Sequence, residues 1–267
     1  PFYALFFGMC VGDAGYGLLL VLLGLYLKKK VSKSMAGLMN LLITLGVATT
    51  IVGAVFNTFF GASITDLDLP EWMNSLIISG KWDGLAYDKT MVIALLVGMF
   101  HICFAMGVKA VCETVRYGFK NSLSAWAWLL LIGGSVTVAT LNYLGVIDME
   151  MSKMAFIGIG CVSAIGIYLL NNLRRNVFVN IGAGLWDTYN MATGILGDLL
   201  SYLRLYALGL AGGMLGGVFN SLGMQLRDAV GDFLFGIPGW ICFGLIFVAG
   251  HSLNIALSCL SGYVHSI

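Results

Sequence analysis

The sequence predicts an all-α fold, a polytopic transmembrane helical bundle, and three observations carry that reading. Hydrophobic residues make up 59% of the 267 positions and charged residues 10%, with a mean hydropathy of +0.93. That composition lies outside the range of soluble globular domains. Apolar runs of membrane-spanning length recur along the whole chain. The loops between them alternate in charge: those at 28–33, 109–120 and 171–176 are basic, and those at 62–88 and 146–150 are acidic or mixed. Basic loops lie on the cytoplasmic side of a membrane, which also places the end at Ile267 there.

The first run, 2–27, is interrupted by Gly12-Asp13-Ala14-Gly15-Tyr16-Gly17. An acid among glycines predicts a break between Gly12 and Gly17 rather than one smooth helix. Lys28, Lys29, Lys30 and Lys33 close it, and a second run covers 35–61. The stretch 62–88 is polar, with Asp66, Asp68, Glu71, Asp83 and Asp88, and with Trp72 and Trp82 as interface anchors. Further runs cover 89–117, 122–145 and 153–171, the last followed by Arg174 and Arg175. The next, 183–223, exceeds a bilayer's thickness at about 1.5 Å per residue, so it must tilt, kink or begin as an interfacial helix near Trp186. Arg227, Asp228 and Asp232 mark a short turn before the final run, 235–267.

Arg204 stands near the middle of an apolar stretch. A cation at mid-membrane costs at least about 2.5–3.5 kcal/mol, so it is rare without a task or a partner. Asp198 is six residues earlier and points about 120° away on the same helix. The residues on the arginine's own face, Gly197, Ser201, Leu208 and Ala211, include no acid. A carboxylate partner must therefore come from another element. Gly209, Gly212, Gly213 and Gly216 follow at small-xxx-small spacing, which permits close approach of another surface. In the final run His251, Asn254, Ser258, Ser261 and His265 share one helical face, suited either to a water-filled path or to interhelical hydrogen bonds. His101 reads as a packing histidine.

The net charge of +1 argues against a nucleic-acid partner. The six cysteines lie in or at the ends of apolar runs with no C-x-x-C pair, so they read as small buried apolar residues. Nothing calls for a metal ion, a cofactor or a catalytic residue. Pro1 and Ile267 both look like cuts within a longer protein.

The stretch Ser201-Tyr202-Leu203-Arg204-Leu205-Tyr206-Ala207-Leu208-Gly209-Leu210-Ala211 closely resembles the arginine motif of the a (or I) subunit of V-type and A/V-type rotary ATPases. The segments Phe7-Gly8-Met9-Cys10-Val11-Gly12-Asp13-Ala14-Gly15-Tyr16-Gly17, Gly98-Met99-Phe100-His101 and Leu260 to Ile267 are similar to others of that family. The glycine-rich continuation looks more like its prokaryotic branch. The resemblance implies a stator whose arginine, here Arg204, faces the carboxylates of a rotor ring of c/K subunits. Two offset half-channels would then carry H⁺ or Na⁺. Asp198, Ser201, His251, Asn254, Ser258 and His265 are the candidate lining, and Gly209, Gly212, Gly213 and Gly216 the rotor-facing small residues. It also implies the remaining ATPase subunits, stalks included, as partners, beside the lipid bilayer. On this reading residues 1–182 form scaffold helices and 183–267 the ion path. There would be eight crossings with the first truncated, in a prokaryotic cell membrane with a cytoplasmic carboxy-terminus. The family's second arginine would follow Ile267, and its large amino-terminal domain lies outside this sequence, so the stretch by itself is no enzyme and no pump. A secondary ion-coupled transporter is the alternative. It predicts an internal repeat, yet the arginine motif has no second copy.

Overall fold

The computed structural model of the chain describes residues 2–30, 35–66, 77–78, 88–119, 122–143, 145–168, 177–230 and 237–266. Its elements are α1 (Phe2–Val11), α2 (Ala14–Lys30), α3 (Ala36–Val55), β1 (Thr58–Phe59), β2 (Ala62–Ser63), α4 (Lys89–Tyr117), α5 (Leu123–Tyr143), α6 (Met149–Tyr168), α7 (Val177–Val230) and α8 (Ile237–Ser266). The helices α3 to α8 are each long and apolar enough to cross a membrane, so the chain is an all-α integral membrane protein. Lys33, Asp68, Glu71, Trp72, Trp82, Asp83, Arg174, Arg175 and Asp232, named from the sequence, lie outside the described residues.

The first run breaks where the glycines stand. Gly12 has φ +62, a left-handed conformation that glycine adopts without a Cβ clash. Its N–H still closes the last turn of α1 on the Gly8 carbonyl at 2.8 Å. Asp13 then caps α2: its Oδ1 accepts from the N–H groups of Gly15 at 2.8 Å and Tyr16 at 3.2 Å, which satisfies two donors that a helix start leaves open.

Two compact units make up the chain, Pro1–Leu95 with Ser201–Ile267, and Leu96–Leu200. In the first, small residues set the spacing of α2 and α3. A Cβ at Gly53 would lie 2.1 Å from the Ala14 nitrogen, and one at Gly17 would lie 2.4 Å from the Thr50 nitrogen. The two backbones therefore touch, the close approach that membrane helices use in place of a hydrophobic driving force. Phe7, Val11, Tyr16, Leu20 and Leu45 form the core of this unit, with Phe60, Ile255 and Cys259 packed on it. A two-residue turn joins β1 to β2, pairing Thr58 with Ser63 and Phe59 with Ala62. Phe60 and Gly61 at its tip both have positive φ, 48 and 71, the signature of a type I′ turn.

In the second unit α5 lies against α6, where Gly166 admits Ala127 and Gly134 admits Ile159. The α4–α5 corner is held by side chains. The Trp126 indole donates to Thr114 Oγ1 at 2.9 Å, and that hydroxyl meets Ser122 Oγ at 2.8 Å.

The helix carrying Arg204 is longer than its apolar run. α7 has 54 residues, a span of about 80 Å at 1.5 Å per residue. It reaches from the expected start at 183 back to Val177 and from the expected end at 223 on to Val230. Hydropathy marks only the lipid-compatible part of a helix, whereas the backbone ladder continues through the polar Asn180, Gln225 and Arg227.

Candidate functional site

Arg204 is exposed on α7. Its Nη2 donates to Ser201 Oγ at 2.9 Å, one turn earlier on the same helix. Among the described residues no carboxylate lies within ion-pair distance of it. Leu200, Ala207, Ala211, Met214 and Val218 are exposed with it and recur at three- and four-residue spacing. Arg204 therefore interrupts a bare apolar stripe with a single permanent positive charge. Asp198 is also exposed and lies six residues before it.

The glycines after Arg204 line the other side of α7, where they meet elements of the same chain. A Cβ at Gly209 would lie 2.4 Å from the Met9 carbonyl oxygen, and one at Gly212 would lie 3.2 Å from Ser258 Oγ. Gly213 faces Thr58, and a Cβ at Gly216 would lie 3.0 Å from the Gly61 Cα. The close approach that their spacing announces is made to α1, α8 and the hairpin.

A buried polar network sits on that glycine side. Asp13 is fully buried. Besides capping α2 it accepts the N–H of Phe60 on Oδ1 and the N–H of Gly61 on Oδ2, both at 2.9 Å. Four backbone donors thus converge on one carboxylate, which offsets the cost of burying it. They also hold the hairpin tip, whose Phe60 carbonyl accepts from Asn220 Nδ2 at 2.7 Å. Irregular backbone is tolerated inside a membrane protein when its polar groups are met in this way. The Phe60 ring lies edge-on to Tyr16 and His251, with centroids 5.6 and 5.5 Å away.

The network continues through α8. Asn220 Oδ1 lies 3.0 Å from His251 Nε2, and the Tyr16 hydroxyl lies 2.7 Å from His251 Nδ1. Asn254 Nδ2 donates to the Tyr16 oxygen and to the Gly212 carbonyl, each at 2.8 Å. These partners fix the hydrogens. The Asn220 amide gives its donor to the Phe60 carbonyl, so its oxygen faces the imidazole and Nε2 carries the hydrogen. The Tyr16 oxygen accepts from Asn254, so its own hydrogen is free to point at Nδ1. Ser258 Oγ lies 3.5 Å from Asn254 Oδ1 and is buried. His265 belongs to α8, but its side chain is outside the described residues.

The structure therefore brings His251, Asn254 and Ser258 together, buried and hydrogen-bonded, and leaves Arg204 exposed on α7 with Ser201 beside it, while Asp198 is exposed about 120° round the same helix. Asn220, Phe60 and Gly61 escaped the sequence reading. Asn220 had a signal, since it extends the glycine stripe by one turn beyond Gly216. Asp13 and Tyr16 stood in the opening motif, where they were read only as a break.

A second feature was not legible either. A cavity of about 230 Å³ is lined by Thr58, Asp88, Thr90, Tyr206, Gly12 and Gly209. The Tyr206 hydroxyl donates to Asp88 Oδ2 at 3.3 Å. A polar pocket thus joins Thr58, Ser63, Asp88 and Thr90 to α7 at Tyr206, Gly209 and Leu210, two to six residues past Arg204.

No family model matches the chain. Curated relatives do, over all of it. The chain is 29% identical to the V-type ATP synthase subunit I 1 of Treponema pallidum, covering 42% of that protein. It is 27% identical to the V-type ATP synthase subunit I of Borreliella burgdorferi, covering 44% of it, and 27% identical to the A-type ATP synthase subunit I of Methanocaldococcus jannaschii, covering 40%. The chain thus spans less than half the length of these relatives. Over its own whole length the chain is homologous to subunit I of V-type and A-type ATP synthases.

Proposed function

We propose that the chain is the membrane part of the stator of a prokaryotic V/A-type rotary ATPase. There it forms the path of H⁺ or Na⁺ past a rotor ring of c/K subunits, in the cell membrane and with its carboxy-terminus in the cytoplasm. The stalk subunits and the nucleotide-hydrolysing part of the complex are its other partners. The observation that carries this reading is Arg204, exposed within an apolar stripe and without a carboxylate among the described residues. Such a charge suits an acid that arrives on another subunit, loses its ion and moves on. A guanidinium beside a carboxylate favours the ionised form and so promotes release, and it keeps its own charge throughout.

The exposed α7 face carrying Leu200, Arg204, Ala207, Ala211 and Met214 is the rotor-facing surface. The glycines Gly209, Gly212, Gly213 and Gly216 support it from behind. Asp198 and Ser201, toward the cytoplasmic end of α7, line the cytoplasmic half-channel. The Asp88–Tyr206 cavity is the access from the opposite side. Tyr16, His251, Asn254 and Ser258 form the polar partition behind Arg204, and His265 lies two turns further along α8.

The test uses the full-length protein in its complex, reconstituted into vesicles. Arg204→Ala should abolish ATP-driven ion uptake while subunit content stays normal, since removing a membrane charge relieves an insertion cost. Arg204→Lys should also fail, because lysine loses the planar multi-donor head. Near-normal uptake by an assembled Arg204→Ala complex would reduce Arg204 to a packing residue.

A further inference from the structure

The second unit contains a cavity that the ion path does not use. It encloses about 420 Å³ and is lined by Met106, Lys109, Glu113, Trp128, Asp187 and Asn190, from α4, α5 and α7. Its volume falls within the usual range of about 300–1,000 Å³ for small-ligand sites. Three charged side chains meet there in a chain with only 10% charged residues. Lys109 and Glu113 form a long i,i+4 pair at 3.9 Å, with the lysine side chain largely exposed. A pair of that kind is weak and easily opened by a third group. The rest of the wall is mixed: Ser124 and Asn190 are polar, Met106, Ala125 and Met191 are apolar, and Trp128 is buried in it.

Its depth points to the ligand. Glu113 and Lys109 lie four and eight residues before the end of α4 at Tyr117, about 6 and 12 Å along the helix. Trp128 lies in the second turn of α5 and Asp187 in the third turn of α7. These ends belong to the basic 109–120 and 171–176 loops, so the cavity stands at the boundary between headgroups and acyl chains of the cytoplasmic leaflet. An occupant there has a polar head and an apolar tail. Among the described lining residues two carboxylates stand beside one ammonium, so a head that brings only an anion leaves the carboxylates unmatched. A head with its own ammonium and a phosphate matches all three groups.

We infer that this cavity binds one aminophospholipid of the phosphatidylethanolamine type. The primary ammonium lies between Glu113 and Asp187, and the phosphate takes Lys109. The start of an acyl chain runs along Met106 and Trp128. A choline head is a poorer fit because a quaternary nitrogen has no N–H to give to a carboxylate. A glycerol head brings only the anion.

The test uses the full-length subunit within its complex, delipidated in detergent and then offered phosphatidylethanolamine, phosphatidylcholine or phosphatidylglycerol. Native mass spectrometry of the released subunit should show one retained phosphatidylethanolamine, held at least about tenfold more tightly than either other lipid, a difference of about 1.4 kcal/mol. The Glu113→Gln/Asp187→Asn variant should lose that preference. Soluble glycerophosphoethanolamine should compete poorly, since it has no acyl chain. A second measurement needs no variant: phosphatidylethanolamine with a photoreactive acyl chain should crosslink to peptides holding Met106 or Trp128. Equal retention of phosphatidylglycerol overturns the inference, as does full preference in the double variant. Crosslinks confined to other helices overturn it too. Full competition by the soluble headgroup would make the site one for a free zwitterion and not a lipid.

Discussion

Asp13 is the single residue on which the interior of the first unit turns. A carboxylate only accepts hydrogen bonds, and its two oxygens here hold four backbone N–H groups. An asparagine has one accepting oxygen and one donating nitrogen. In Asp13→Asn the oxygen can keep the Gly15, Tyr16 and Phe60 donors, which leaves the amide NH₂ against the N–H of Gly61. One buried donor loses its partner, at a cost of about 1–3 kcal/mol. Thermal unfolding of the full-length subunit in detergent should show a clear fall in Tm, and an unchanged Tm would mean that the carboxylate does not hold the hairpin. Tyr16 offers a companion test. Tyr16→Phe and Asn254→Leu each remove the same hydrogen bond, so their effects should fall short of additive by about 0.5–3 kcal/mol. Strict additivity would break the network as drawn. None of this could be read locally. An acid among glycines says that a helix stops. Nothing in its spacing says that the acid will bind a turn 47 residues away.

The helices themselves were legible because hydropathy and loop charge are local properties. What hydropathy could not give was the function of each glycine in α7, since glycines on both sides of a helix look alike in a sequence. Their surroundings differ sharply. A Cβ at Gly209 would press to 2.4 Å against the Met9 carbonyl, backbone that cannot swing away, while a Cβ at Gly194 would meet nothing within 4 Å. Gly209→Ala should therefore destabilise the subunit by about 1–3 kcal/mol, the usual cost of overpacking. Gly194→Ala should be neutral or stabilising by up to about 1 kcal/mol, because alanine restricts the unfolded chain and favours the helix. The two variants can be compared by detergent melts on the same day and in the same buffer. Equal Tm values for both would show that α7 and α1 are not in backbone contact at Gly209. The ends of α7 were misjudged for a related reason: polar residues at its two ends hide a continuous helix from any scale that scores apolarity.

At the scale of the molecule, the sequence singled out Arg204 on an apolar helix, where its side chain is exposed, and it treated the polar face of α8 as open to two readings. In the structure this face makes interhelical hydrogen bonds. His251, Asn254 and Ser258 are buried with partners for their polar atoms, so water gains little by entering there. The cavity beside Asp88 is different, for it holds a carboxylate, two threonines and a tyrosine hydroxyl around about 230 Å³ of open volume. Water belongs in a space that is both roomy and polar. This yields an expectation about access from outside. In a complex freed of its native cysteines, Ser63→Cys lies on the cavity wall and is exposed. It should react readily with a membrane-impermeant thiol reagent added on the extracytoplasmic side. Ser258→Cys should stay unlabelled under the same conditions. If Ser258→Cys reacts as fast as Ser63→Cys, water runs along α8, and the partition behind Arg204 is itself the channel.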